Sequence, residues 1–275
     1  MTRQRYLPGP DDSSTSVARR SPPSSPDEKP AFVPSSDCGE LLLTRPDFQL
    51  RLANSRGLQS ESCALVQRMY AWRGYKRAEH ASIQLANEAT LQTCRGEQVF
   101  GTLTVRYDSD AGLAADDLYR TELDAYRREG ARVAELTRLA VDPELGSKEV
   151  LGALFHAAYI FCGPVGRVSD VFIEVNPRHV AFYQRMLDFR QAGEPRICPR
   201  VDAPAVLLHV DAAHVGEQAT LYGGRTAQGG RSLYPYFCSQ QEAAQFTRRV
   251  VANRRADPAR GDRRARPRLM CRSVS

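Results

Sequence analysis

The sequence has no apolar run of about 18 residues, the length a membrane-spanning helix needs. It opens without the apolar core of a secretory signal, so secretion is not expected. It has no Cys-x-x-Cys pair. Its seven cysteines (38, 63, 94, 162, 198, 238 and 271) are scattered and odd in number. They suit reduced thiols in a cytoplasm and not a disulfide framework. None has a neighbouring histidine, and Cys162 and Cys198 read as small apolar residues. The five histidines do not gather with carboxylates or cysteines at ligand spacing, so no metal is expected.

What is present is unevenly spread. The net charge is +6, yet residues 248–275 hold ten arginines against two aspartates, a local +8. The other residues therefore sum to −2, and a basic whole-chain balance is no argument for nucleic acid. The tail lacks the aromatic interleaving of a single-strand binder, and it offers contact with any polyanion, including anionic lipid. Residues 1–40 are rich in Ser, Pro and Asp and too poor in large apolar residues to offset ordering entropy. The expected organisation is a disordered tail over 1–40, one domain over 41–215, a docking extension over 216–247 and a basic disordered tail over 248–275.

Residues 133–189 organise the domain. Residues 133–141 read as a strand stopped at Asp142-Pro143. Residues 149–161 read as a helix apolar on nearly every side, 171–175 as a strand ending at Asn176-Pro177, and 178–187 as a second helix. Strand, helix and strand predict a βαβ unit with a parallel pair. Upstream, the spacing predicts a strand over 48–53 and a helix over 60–72 capped by Ser60. Antiparallel strands over 88–94 and 98–107 follow, then a helix over 113–128. In the second of those strands Val99, Gly101, Leu103 and Val105 share one face by period two. Downstream come a buried strand over 205–210, a glycine-rich loop with a short helix over 212–231, a docking segment 233–237 and a helix over 240–253.

Four segments, Glu135-Leu-Thr-Arg138-Leu-Ala-Val-Asp142, Phe172-Ile-Glu-Val-Asn-Pro-Arg-His179, Cys198-Pro-Arg-Val-Asp-Ala-Pro204 and Leu233-Tyr-Pro-Tyr-Phe237, occur in this order. Together with the element order they resemble the long-chain N-acyl amino acid synthases, relatives of the acyl-homoserine-lactone autoinducer synthases within the GNAT acyltransferases. The resemblance covers roughly residues 41–240. It implies an α/β (α+β) fold with a central mixed, twisted sheet and helices on both faces. It also implies a cytoplasmic bacterial enzyme that moves a fatty acyl group from acyl carrier protein to an amino acid's amine. No permanently bound cofactor is implied, because a phosphopantetheine thioester is the co-substrate. The chain departs from the GNAT pattern at the pyrophosphate loop, where glycine-rich backbone N–H groups cradle coenzyme A. Here the loop is Pro143-Glu-Leu-Gly-Ser-Lys-Glu149, with one glycine and two carboxylates that oppose a pyrophosphate. That fits a carrier-protein donor, whose arm has a single phosphate.

Acyl transfer to an ammonium needs a base, a stabilised oxyanion and an acid for the leaving thiolate. Glu135, a carboxylate in an apolar strand, is the candidate base; equally, it forms a structural ion pair with Arg138 or with a helix arginine. Arg138 is the candidate for the acceptor's carboxylate. Positions 135 and 138 lie on opposite faces of a regular strand, so a β-bulge near Thr137 is expected. Backbone N–H groups of Leu139, Ala140 and Val141 are candidates to polarise the thioester carbonyl. Tyr183 stands where the resemblance places the acid, and is otherwise a core aromatic. Asn176 either binds the pantetheine arm or makes the turn before Pro177. Trp72 is a pocket wall or, with Tyr75, a staple of the helix end. His156 reads as a satisfied core histidine and His179 as a cap or solvent-facing group. Arg68, Arg73, Lys76, Arg77 and Arg178 form the basic rim expected to receive acidic acyl carrier protein. The alternatives are an acyl-homoserine-lactone-type or coenzyme A-dependent N-acyltransferase, or a non-catalytic acyl-binding domain.

Overall fold

In the computed structural model, residues 39–75, 85, 87–226 and 231–256 are described. The expectations for the N-terminal tail, Lys76, Arg77 and the arginines beyond residue 256 lie outside the described residues.

The strands are β1 (Glu40–Thr44), β2 (Gln49–Leu52), β3 (Glu88–Arg95), β4 (Gln98–Tyr107), β5 (Val133–Val141), β6 (Asp170–Val175), β7 (Arg190–Gln191), β8 (Arg196–Cys198) and β9 (Ala203–Asp211). The helices are α1 (Arg56–Trp72), α2 (Asp116–Arg128), α3 (Lys148–Ile160), α4 (Val180–Leu187), α5 (Ala212–Tyr222) and α6 (Gln240–Ala256). α1 starts earlier than Ser60 because Ser55 caps it, its hydroxyl accepting from the Leu58 N–H at 3.3 Å. The sheet runs β1-β2-β3-β4-β5-β6-β9-β7, with β8 paired to β9 off that path. β5 and β6 are parallel, joined through α3; the other pairs are antiparallel. Among the described residues no helix is long and apolar enough to cross a membrane.

Helices cover both faces. α3 packs Val150, Leu154 and Ala157 into the main core with Leu103, Val105, Ala134 and Leu136. On the opposite face α1 sets Leu65 and Val66 on Ala140, while α2 sets Tyr119 and Leu123 on Val133, Phe172 and Leu207. The docking segment lies on α3, with Leu233, Tyr234 and Phe237 buried. Gly152 permits this, since a Cβ there would stand 2.6 Å from that of Tyr236. The boundary expected between residues 247 and 248 falls inside α6, whose Val250 is buried, and that between 215 and 216 falls inside α5.

His156 anchors this C-terminal layer. It is buried and stacks on Phe237 at 4.7 Å, and its Nδ1 accepts from the Cys238 N–H at 2.7 Å. Burial pushes its pKa down to about 4 from the usual 6.5. The unfolded chain then binds the extra proton first, so stability falls as pH drops from 6.5 to 4. The expected loss is about 3 kcal/mol over that window. Denaturant titrations of the unaltered chain and His156→Gln at pH 7 and pH 5 isolate this contribution: the variant should be less stable at pH 7, and the gap between the two should narrow as pH falls.

Two bulges shape the centre of the sheet. In β4, Val99 opposes Cys94 and Gly101 opposes Thr93, leaving Phe100 as the extra residue. Val99 is thereby turned under α1, while Leu103 and Val105 face α3, so the four residues expected on one face are divided. Gly101 fits because a Cβ there would meet the Thr93 hydroxyl at 2.2 Å. In β5, Thr137 opposes Thr104 and Ala140 opposes Thr102, so three steps face two. The extra residue lies at Arg138 or Leu139, beside the position expected. Arg138 has φ 55°, a left-handed conformation rare outside glycine and common at functional sites.

Candidate functional site

β5 and β6 are paired only from Val133–Asp170 to Leu136–Ile173. Beyond that the strands part, and an open cavity of ≈ 490 Å³ lies between them, within the range of small-ligand sites. The β5 bulge resets the alternation of the strand. Glu135 and Arg138 both line this cavity, and Ala140 falls under α1 on the same face. Leu136 packs into the core beneath α3 and also borders the cavity.

Glu135 is 2% exposed. Its Oε2 accepts from the N–H groups of Ala114 (2.7 Å) and Ala115 (3.3 Å), at the start of α2. The ion pair with Arg138 is not formed. Burial first, and the Glu174 charge second, push the Glu135 pKa up to about 7, against the pull of Arg106 and Arg200. A carboxylate so tuned exchanges its proton near neutral pH.

Arg138 has Glu88 as its ion-pair partner. Glu88 is fully buried at the start of β3 and also binds Arg106 at 2.8 Å. The carboxylate thus holds one amino group of Arg138, whose guanidinium borders the cavity. Tyr183 lines the cavity too, its ring edge-on to Phe155, Phe182 and Phe189. Burial raises its pKa, so the phenol carries its proton at neutral pH.

The remaining candidates divide. Leu139 borders the cavity; Ala140 is buried against α1, and Val141 packs on the main core. Asn176 borders the cavity and also makes the turn, its Oδ1 accepting from the Arg178 N–H at 3.2 Å. Trp72 is 68% exposed and is not among the lining residues, so neither a pocket wall nor a staple describes it. The last residues of α1 turn it outward, while Tyr70 and Tyr75 take the places at the cavity. His179 occupies the N-cap position of α4 without a side-chain capping hydrogen bond; it is half-buried at the cavity and held low in pKa by burial, Arg73 and Arg178. Arg73 lines the mouth. Arg178 reaches the Tyr75 hydroxyl at 2.7 Å and stacks on its ring at 5.3 Å. Arg68 stands apart, paired with Asp142 at 3.1 Å beside the loop before α3.

That loop spends its own donors. The N–H groups of Leu145 and Gly146 go to the Asp142 carbonyl, at 3.2 and 2.8 Å. The Glu144 N–H goes to the Asp142 carboxylate at 3.1 Å, and the Val150 N–H to the Ser147 hydroxyl at 3.2 Å.

Glu88, Glu174, Arg200 and Tyr70 belong to the site and were not singled out from the sequence. Glu174, the one carboxylate within the expected strand 171–175, was an available signal; Glu88 opens a strand rich in Thr and Gln and gave none.

The model of the N-acyl amino acid synthase FeeM family matches residues 61–211, which contain every residue lining the cavity. The solved structure of FeeM, an N-acyl amino acid synthase from uncultured soil microbes, is 24% identical with a TM-score of 0.58. It covers 63% of this chain and 96% of its own. The acyl-homoserine-lactone synthase LasI is 14% identical with a TM-score of 0.44, covering 60% of this chain and 90% of its own. An N-acetyltransferase from Lactobacillus plantarum is 15% identical with a TM-score of 0.44, covering 60% and 98%. Among curated proteins, none matches the sequence. The fold is that of the solved FeeM structure, and the chain belongs to the FeeM family of N-acyl amino acid synthases, which are N-acyltransferases.

Proposed function

We propose that the chain transfers a long-chain fatty acyl group from acyl carrier protein to the amine of an amino acid. The observation that carries this reading is the bulge in β5, which sets a buried, neutral-range carboxylate and an arginine in one cavity where β5 and β6 part.

The donor's pantetheine lies between the parted strands, with its thioester carbonyl at the backbone of Leu139. Arg138 takes the acceptor's carboxylate. Glu135 takes one proton from the ammonium, and the freed amine attacks the thioester carbon. The tetrahedral intermediate collapses as the C–S bond breaks. The sulfur takes a proton from Tyr183, the proton first held by Glu135 is passed on through solvent to restore the phenol, and the freed Glu135 then carries the nitrogen's second proton out to solvent. The products are one amide, one thiol and one released proton. Donors aimed at the developing oxyanion lower the barrier most.

Two features support a carrier-protein donor. The N–H groups of Glu144, Leu145 and Gly146 are engaged within their own loop, and Glu144 and Glu149 are exposed there, so a pyrophosphate finds little to hold it. Arg73, Arg178 and Tyr75 give the mouth a basic, aromatic rim for an acidic partner. The buried thiols of Cys162, Cys198 and Cys238 suit a reducing cytoplasm.

The test is the purified protein with a mixture of amino acids and either acyl carrier protein or coenzyme A carrying the same acyl group. Amide formation and thiol release should be at least about tenfold faster from the carrier protein. Faster turnover of the coenzyme A ester would overturn the donor assignment. Thiol release without amide would overturn the reaction.

A further inference from the structure

Two of the four segments quoted above meet in the cavity without a part in the reaction so far described. Nη2 of Arg200 donates to both carboxylate oxygens of Glu174, at 2.8 and 2.7 Å. Its Nη1 donates to the Ala114 carbonyl and, at 3.0 Å, to Asp117. Ala114 in turn donates its N–H to Glu135. The backbone of Ala114 therefore connects the Glu174–Arg200 pair to the carboxylate assigned as base.

We propose that Glu174 and Arg200 are positioning residues for Glu135: Arg200 anchors the turn whose N–H groups hold the Glu135 carboxylate, and Glu174 sets a second negative charge against it. This rests on Glu135 acting as the base. The geometry gives the pair both functions at once. One guanidinium nitrogen spans both Glu174 oxygens while the other holds the turn at Ala114, which fixes orientation as well as charge. The carboxylate it holds stays in the cavity, because Glu174, Glu135 and Arg200 all line it.

The other groups around Glu135 are already committed. Arg106 from β4 and Arg138 on β5 are both held by Glu88 of β3. Asp117 of α2 is held by Arg200. The Cys198 thiol on β8 and the Tyr70 phenol on α1 are both raised by burial and stay neutral. The charge that varies most simply is therefore that of the pair. Glu174→Gln removes a repelling charge and leaves Arg200 with Asp117 alone, so Glu135 should lose its proton at lower pH. Arg200→Gln removes the opposing cation, so Glu135 should keep its proton to higher pH. A merely structural pair would not move the titration in opposite directions.

The experiment is a carbon-13 NMR titration of the full chain labelled at glutamate carboxyls, with the Glu135 signal assigned by its loss in Glu135→Gln. The midpoint should move down by about one pH unit in Glu174→Gln and up by a similar amount in Arg200→Gln. Arg200→Lys, which keeps the charge, should return close to the unaltered chain. If Glu174→Gln fails to fold, the contrast between Arg200→Gln and Arg200→Lys decides. Unmoved midpoints, or movement the same way in both variants, would overturn the proposal. The acid limb of kcat/KM should move with the titration. A protein that titrates as described yet transfers no acyl group would sink the assigned reaction and leave the pair's effect on Glu135 intact.

Discussion

Glu135→Gln is expected to lower turnover by about 10²–10⁴-fold, the ordinary worth of a general base, and to make the protein more stable at pH 8. The second half follows from the sign of the linkage. Folding raises the Glu135 pKa from its usual 4.5 to about 7, so the folded chain binds this proton more tightly than the unfolded one. The associated stability is fully present below pH 4.5 and is lost as pH rises through 7. At pH 8 the ionised, buried carboxylate costs about 3 kcal/mol, which an amide of the same shape avoids. The amide oxygen still accepts from the Ala114 and Ala115 N–H groups. Denaturant midpoints of the two proteins should differ at pH 8 and converge near pH 4. Were Glu135 a structural ion-pair residue, its amide would be less stable at pH 8, and that result would refute the assignment.

The second large effect concerns the donor. Reversing the rim with Arg73→Glu and Arg178→Glu should lower kcat/KM for the acyl carrier protein substrate by about 100-fold at low salt. Turnover of a short acyl-pantetheine, which carries no protein, should hardly change. Salt should narrow the first difference, because exposed charges are screened beyond about 10 Å at 0.1 M. Arg178 also holds Tyr75 in place, and the acyl-pantetheine control separates that local effect from docking. Equal losses on both substrates would mean that the arginines shape the cavity itself and do not receive a partner.

The elements the sequence revealed best are those with strong local causes. β5, α3 and β6 were legible because β-branched runs ended at proline and an apolar helix lay between them. The bulge was legible too, since Glu135 and Arg138 could share a face only through an extra residue. α5 was less so. Its Gly216 looks like loop composition, yet it serves a close approach, because a Cβ there would meet the Tyr159 hydroxyl at 2.4 Å. β1 is a half-exposed edge strand with a weak alternation, and β7 and β8 are too short for any periodicity.

The site divides in the same way. Glu135 and Arg138 stood out as polar residues in an apolar strand. Their actual partners come from elsewhere: Glu88 of β3 for Arg138, and the first turn of α2 for Glu135. No local pattern announces such pairings, which depend on how the strands are ordered. Trp72 illustrates the opposite error. An aromatic at helical spacing invited a place in the pocket or core, and it is exposed, while Tyr70 two residues earlier borders the cavity.

The central claim, acyl transfer to an amino acid's amine, is tested most directly by mass spectrometry of lipid extracts from cells expressing the chain or its Glu135→Gln variant. New N-acyl amino acids that disappear in the variant are the predicted result, and their masses would name both substrates. Extracts without a new amide, from cells holding abundant folded protein, would contradict it.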